Sequence, residues 1–141
     1  MANGNPLPDG TRVIRGCSRG YDKGEVTSSA FAMRVQERKE LKISVGWVEC
    51  PYAAVNAQNL DAALIRMRNI PVNPPYAILP SLNIRQIRRG GQALDAIEDG
   101  HYRNPCHCGI AGFSGTAAVD LELQADLAEI ANRLPVLCAP D

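Results

Sequence analysis

The sequence predicts a small α+β domain in which a mostly antiparallel sheet carries two main helices packed on one face. Residues 41–49 alternate apolar with small or polar side chains, which is the period-two pattern of a strand with one buried face. Apolar residues recur at helical spacing in 56–69 and 117–133 and predict two amphipathic helices. Strands and helices alternate only loosely, without clean βαβ units, so we expect an α+β arrangement.

The 141 residues suit a single α+β domain at 11–141, preceded by an irregular arm at 1–10 that is rich in Asn, Gly and Pro. Apolar residues make up 45% and charged residues 21%, so the core needs neither a metal nor disulfides. Fifteen basic and fifteen acidic side chains cancel, which disfavours nucleic acid as a partner.

Short elements are predicted before the 41–49 strand. Residues 11–15 form a strand candidate that a glycine closes. Three glycines make 16–24 a turn region, and 25–31 returns to extended or mixed structure. The run 34–42 mixes charges of both signs, so we expect a solvated face or a loop there.

Prolines punctuate the rest of the chain. Pro71 ends the 56–69 helix, and Pro80 makes 76–82 an edge strand because proline cannot donate to a ladder. Pro135 ends the 117–133 helix. The remaining predicted elements are short helical or loop segments at 84–89 and 92–99 and a strand of small residues at 106–113.

The N-terminus has no basic and apolar leader pattern, and no apolar run reaches the ~20 residues of a membrane span. We therefore expect a cytoplasmic protein without a membrane partner. The five cysteines are odd in number and lack the spacing of a disulfide framework, so free thiols or metal ligands are expected. Cys50 and Cys138 are predicted to be ordinary buried or half-buried thiols, and Cys17, in a polar turn, is expected to have no special role.

Both histidines and two cysteines fall within 101–109. Zinc prefers such ligands, but in a strand Cys106 and Cys108 face one way and His107 the other. A site would need His101 and a distant cysteine as well, so no metal and no cofactor is predicted. His107 alone keeps three interpretations: it ties the turn to nearby backbone, it binds a ligand or acts as acid and base, or it ligates a metal.

A second group of residues resembles the arrangement in ADP-ribosyltransferases. Arg12 and Arg15 lie on the first strand, Ser28 and Ser29 on the next, and Glu49 at a later strand end. The resemblance implies that an arginine holds a phosphate of NAD, a serine supports the ribose, and the glutamate stabilises developing positive charge. The alternative is a strand–turn–strand with ordinary surface arginines.

Arg85, Arg88 and Arg89 precede two glycines and form a third group. Clustered arginines can bind phosphate, but the chain has neither a P-loop nor a dinucleotide-binding glycine motif. A solvated or partner-facing basic patch is the favoured interpretation.

Four stretches together resemble a group of short bacterial proteins that have an Arg-Gly start, a Ser-Val-x-Trp-x-Glu strand and an Asn-Pro-x-His segment. These stretches are 9–16, 27–31, 43–49 and 104–110. The resemblance implies that Arg15, Trp47, Glu49 and His107 matter together, and it implies no reaction.

Two functional hypotheses follow. The first is a small non-catalytic binding or accessory domain, in a bacterial or phage conflict system, that acts on a protein partner, as a homo-oligomer, or on a small ligand. The second is an enzyme for a nucleotide-like substrate, with Arg15 on phosphate, Glu49 on developing positive charge and His107 as acid and base. The candidate ligand-binding residues are Ser28, Ser29, Trp47 and Asn104. The enzyme requires Arg15, Glu49 and His107 to line one pocket, within roughly 10 Å of each other.

Overall fold

The computed structural model describes residues 2–67 and 74–137. Five strands form a central sheet in the order β5-β1-β4-β9-β8, and every neighbouring pair in it is antiparallel. The α+β prediction is therefore confirmed. The strands are β1 (Arg12–Gly16), β2 (Tyr21–Asp22), β3 (Glu25–Val26), β4 (Lys42–Trp47), β5 (Tyr76–Pro80), β6 (Arg88–Arg89), β7 (Gln92–Ala93), β8 (Asp95–Glu98) and β9 (His107–Ala111).

Helices cover both faces of this sheet. They are α1 (Val35–Arg38), α2 (Leu60–Met67), α3 (Ser81–Arg85) and α4 (Ala117–Ala131), with 3-10 turns at Ser28–Phe31 and Val55–Ala57. The predicted C-terminal helix is confirmed as α4. The predicted end of the central helix, near Pro71, lies outside the described residues.

The two main helices pack on opposite faces of the sheet, where the sequence predicted one. Leu123 and Leu127 of α4 join a large core with Val45. Leu64 of α2 packs in a second, smaller cluster with Ile14. The second layer was hidden because small and polar residues alternate along β4 on that face. Gly46 makes room there: a Cβ atom on it would lie 2.7 Å from the sulfur of Met67.

Several short segments differ from their predictions. Residues 92–99, expected to be helical or loop, hold β7 and β8, and β8 pairs with β9 through Ala96 and Ile110. Four residues are too few for a period to distinguish strand from turn. The charged run 34–42 contains α1, in which Glu37 is buried. Pro80 does lie on an outer strand, as predicted, because β5 is the last strand of the sheet.

Both outer strands have additional backbone partners. The N-terminal arm runs beside β8, where the Leu7 N–H donates to the Ala96 carbonyl at 2.9 Å and the Leu7 side chain enters the core. Beside β5, Tyr76 and Leu137 exchange two backbone hydrogen bonds of 2.7 and 3.0 Å. Much of the hydrogen-bonding capacity of the sheet edges is therefore satisfied within the chain.

Cys50 and Cys106 form a disulfide with a Cα–Cα distance of 5.6 Å, so the prediction of free thiols is wrong for this pair. Cys50 lies just beyond β4 and Cys106 just before β9. Antiparallel pairing of Gly46 with His107 brings these two ends together. The 56-residue separation gives no hint of that proximity in the sequence.

Cys17 and Cys108 are buried free thiols, and Cys138 lies outside the described residues. Burial raises the pKa of Cys108 to about 12, with smaller contributions from the charges of Glu98 and Asp99. The Cys108 thiol is therefore protonated at neutral pH. Across 2–67 and 74–137, no helix has both the length and the apolar character needed to cross a membrane.

Candidate functional site

Arg15, the predicted phosphate-binding residue, is almost completely buried. Its Nη1 atom donates to Glu37 Oε2 at 2.7 Å and to the Ser44 carbonyl at 2.8 Å, and its Nε donates to the Ala30 carbonyl at 3.0 Å. Its Nη2 donates to Glu37 Oε1 at 3.3 Å and to the Ala32 carbonyl at 3.4 Å. The guanidinium thus joins β1 to the following turn and to α1.

Glu49 forms a fork-shaped ion pair with Arg12. One carboxylate oxygen accepts from the Arg12 backbone N–H at 2.7 Å, and the other accepts from Nε and Nη2 at 2.8 and 2.6 Å. Both oxygens are therefore occupied by a single neighbour. This geometry anchors the first strand to the end of β4.

His107 is tied to its own turn, which is the first of its three interpretations. Its Nδ1 lies 2.9 Å from the Asp99 carbonyl oxygen and 3.5 Å from the Asp99 carboxylate. Because a carbonyl oxygen only accepts, Nδ1 carries the proton in this arrangement. The rings of His101 and His107 are 6.1 Å apart.

Arg15 and His107 lie on opposite faces of the sheet. Arg15 is paired with Ala77, which belongs to the core beneath α4. His107 is paired with Gly46, whose open side faces Met67 of α2. Cross-strand partners point to the same face, so the sheet separates the two residues. Arg15, Glu49 and His107 do not line the common pocket that the enzyme hypothesis required.

The remaining predicted ligand residues fall into two places. Trp47 and Asn104 line a cavity of about 10 Å³, room for about one water molecule. Trp47 is buried, its ring meets Tyr52 edge-on, and its Nε1 has no partner among the residues described. Ser28 and Ser29 both lie in the 3-10 turn, and Ser29 lines a second pocket together with Arg15.

This second pocket, here called the cationic pocket, has a volume of about 160 Å³. Its polar lining residues are Arg15, Ser18, Arg19, Ser29, Arg34 and Arg38. The Arg15 charge is balanced by Glu37. The other three guanidiniums have no carboxylate within 4.0 Å in the described part of the chain, so the pocket carries a net positive charge.

A larger groove of about 560 Å³ lies between residues 32–41 and the first half of α4. We call it the α1–α4 groove. Its apolar walls include Met33, Leu41 and Leu121, and Leu121 is 58% exposed. Exposed apolar side chains that converge on a concave surface are typical of ligand sites.

Two polar residues of α4, Asp120 and Gln124, line this groove and are both buried. Asp120 accepts hydrogen bonds from the Ser114 N–H and hydroxyl and from the Gly115 N–H, at 2.8 to 2.9 Å. These bonds hold the Ser114–Gly115 loop in place at the edge of the groove. Gln124 is only 8% exposed. Its amide makes no hydrogen bond to any described residue, and it is not among the fully buried polar atoms, so it is accessible from the groove.

The sequence contains a signal for this groove that the apolar periodicity of 117–133 does not reveal by itself. Leu123, Leu127 and Ile130 define the buried stripe of α4. Asp120 and Gln124 fall within the stripe, whereas Leu121 falls outside it. A polar residue within a buried apolar stripe needs a polar environment, and an apolar residue outside the stripe leaves apolar surface exposed. Together they indicate a groove with polar residues at its base and an apolar side chain at its edge.

The third arginine group is largely paired within the chain. Arg85 forms ion pairs with Asp9 and Asp95, and Arg89 Nε lies 2.8 Å from Asp126. Elsewhere, no set of three or more His, Cys, Asp or Glu side chains is placed to hold a metal ion within 2–67 and 74–137. Comparison with protein-family models, with curated proteins and with solved structures found no match to this chain.

Proposed function

We propose that the protein is a non-catalytic binding domain whose ligand occupies the α1–α4 groove. The observation that carries this proposal is Gln124, a mostly buried residue of the groove lining whose amide lacks a hydrogen-bond partner among the described residues. Trp47 Nε1 is the one fully buried side-chain polar atom without a partner among the described residues, so the Gln124 amide is accessible from the groove, and a bound ligand could pair with it.

A binding role also fits the state of the predicted catalytic groups. Both oxygens of Glu49 contact Arg12, and Arg15 is held by Glu37 and three carbonyls. These contacts stabilise the fold and leave the groups little freedom to act on a substrate. A cytoplasmic location and a role in bacterial or phage defence stay predictions.

The groove can be tested with an apolar fluorescent probe such as anilinonaphthalene sulfonate. We expect the protein to enhance its fluorescence, and we expect Leu121→Asp to lower the apparent affinity at least tenfold by placing a charge on the rim. Ile65→Asp is the matched control, because Ile65 is 53% exposed on α2, on the other side of the sheet. Unchanged probe binding in Leu121→Asp would contradict the proposal.

A complementary experiment identifies the natural occupant. The wild-type chain and both variants are purified from the same cells, and small molecules released by denaturation are identified by mass spectrometry. The proposal expects a molecule that accompanies the wild type and Ile65→Asp and is lost with Leu121→Asp. A small-molecule profile that is the same for all three proteins would count against it.

A further inference from the structure

We propose, resting on the binding function above, that the ligand is a nucleoside monophosphate, with its base in the α1–α4 groove and its phosphate in the cationic pocket. The cationic pocket includes Arg15 and Ser29 of the site expected from the sequence, whereas Glu49 and His107 line neither cavity and the α1–α4 groove was not expected.

The two cavities adjoin each other. Ala32, Met33 and Arg38 line both the groove and the cationic pocket. A single molecule that lies across Met33 can therefore reach both. It must have an uncharged end for the groove and an anionic end for the arginines.

The cationic pocket fits a phosphate. Arg19, Arg34 and Arg38 supply planar donor groups, and none of them forms an ion pair within the described residues. The nearest acid in sequence, Glu37, is buried, and its oxygens accept from Arg15, from the Arg34 N–H and from the Ser44 N–H. Arginine is well suited to phosphate because its N–H groups match the oxygens in pairs.

The groove fits a nucleobase better than an alkyl chain. The Gln124 amide offers an acceptor oxygen and two N–H donors side by side. A base edge presents a donor next to an acceptor and satisfies both halves of such an amide. An alkyl chain would leave both halves unpaired at a buried position, which is unfavourable.

The groove walls fit a flat ring. Met33 provides a polarizable thioether, and Leu121 provides an apolar surface on α4. Arg38 lines both cavities, and a guanidinium can stack on a ring face. Asp120 does not oppose the phosphate directly, since its oxygens are bonded to the Ser114–Gly115 loop.

Isothermal titration calorimetry tests the proposal, with AMP, GMP, CMP and UMP as probes beside inorganic phosphate and the free nucleosides. We expect at least one nucleotide to bind at least tenfold more tightly than inorganic phosphate or its own nucleoside. Gln124→Met removes the amide at similar volume and should weaken that nucleotide at least tenfold. An Arg34→Gln, Arg38→Gln double variant should do the same and should reduce the salt dependence of binding.

Arg103→Gln is the matched control, because Arg103 is exposed on the 101–104 loop and has no carboxylate partner among the described residues. It should leave nucleotide affinity unchanged. Thermal unfolding of each variant separates lost binding from lost folding, and Leu121→Asp provides a second groove variant if Gln124→Met unfolds.

Two results would overturn the proposal. If inorganic phosphate binds as tightly as every nucleotide, the pocket recognises only an anion. If no nucleotide binds at millimolar concentration while the fluorescent probe still binds in a Leu121-dependent way, the groove binds another class of ligand. In that second case the nucleotide proposal fails and the binding function stands.

Discussion

Arg15 and Glu37 form a buried ion pair beneath the turn that leads into α1. Arg15 Nη1 lies 2.7 Å from Glu37 Oε2, and the two side chains are 4% and 8% exposed. Glu37 also accepts from the backbone of Ser44 at 2.6 Å. The pair therefore joins β1, α1 and β4, and its Arg15 member lines the cationic pocket.

Removing one member of this pair should be strongly destabilising. Glu37→Gln leaves the Arg15 charge buried without a counter-charge, and we expect the free energy of unfolding to fall by about 3–5 kcal/mol. Replacing both residues by apolar ones, as in Arg15→Met with Glu37→Leu, should cost less than Glu37→Gln alone. Urea denaturation of the single and double variants measures both effects.

The exposed pair of Glu129 and Arg133 is the control for this experiment. Its side chains are 72% and 56% exposed, and the charged atoms are 3.5 Å apart. Glu129→Gln should change stability by less than about 1 kcal/mol, since solvent screens such pairs. If Glu37→Gln and Glu129→Gln lowered the free energy of unfolding equally, burial would not be what makes the Arg15–Glu37 pair important for stability.

The same pair should make stability sensitive to acid. Burial alone would raise the pKa of Glu37, but hydrogen bonds from Arg15, Ser44 and Arg34 and the Arg15 charge outweigh it, and the pKa is lowered from 4.5. A carboxyl with a lowered folded pKa stabilises fully above its unfolded pKa, and the contribution is lost as pH falls through the folded value.

We therefore expect the stability difference between wild type and Glu37→Gln to be constant near neutral pH and to shrink below about pH 4.5. Urea denaturation of both proteins from pH 7 to pH 3 measures this difference. A difference that grows on acidification would show that Glu37 is not a charged partner of Arg15.

The disulfide should stabilise the fold by restricting the unfolded chain. Cys50 and Cys106 are 56 positions apart, and a bridge over such a loop contributes about 2–4 kcal/mol. The Cys50→Ala, Cys106→Ala double variant should lose that amount in urea denaturation. Reducing agent should lower the stability of the wild type and leave the double variant unchanged.

Alkylation with iodoacetamide in denaturant, without reductant, checks the bridge directly. Cys17 and Cys108 should be modified, whereas peptides that contain Cys50 and Cys106 should be recovered linked to each other. Recovery of alkylated Cys50 would show that the protein is isolated in the reduced form.

Gly20 lies too close to the backbone of Ala30 to accept a side chain. A Cβ atom on Gly20 would lie 2.1 Å from the Ala30 nitrogen and 2.5 Å from its Cα. Gly20→Ala must displace the 3-10 turn whose Ala30 carbonyl accepts from Arg15, and we expect the free energy of unfolding to fall by about 1–3 kcal/mol. At Gly109 a Cβ would press at 3.1 Å only on the flexible Lys42 side chain and would lie at an ordinary 3.6 Å from the Ile43 carbonyl oxygen. Gly109→Ala should therefore cost clearly less, and thermal unfolding of both variants measures the difference.

The sequence was sufficient to predict the longest strand and the longest helix. The alternation of 41–49 and the apolar stripe of 117–133 each span enough residues to distinguish a period of two from one of 3.6. The short strands β7 and β8 do not, and their strand conformation depends on pairing with distant residues. The second helical layer was not predicted because the sequence gives no sign that a glycine at position 46 is required by close packing against Met67.

The candidate site was harder to predict, because it depends on which side chains pair with each other in the folded chain. Arg15 looks like an available cation until its partner is known, and Glu37 is hidden in a mixed charged run that suggests solvent exposure. Likewise, the disulfide between Cys50 and Cys106 follows from the register of β4 and β9 and could not be predicted from the spacing of the cysteines in the sequence. Gln124 differs: its phase on the helix identifies it as buried without any knowledge of its neighbours.

The arm beside β8 and the Tyr76–Leu137 bridge beside β5 have a consequence for assembly. A strand from another chain would have to displace these segments before it could pair with either edge of the sheet. The two segments therefore disfavour fibril growth and domain swapping. If two copies of this protein associate, the contact is therefore expected through helices or loops. Deleting the first ten residues would leave the β8 edge of the sheet available for pairing with another chain.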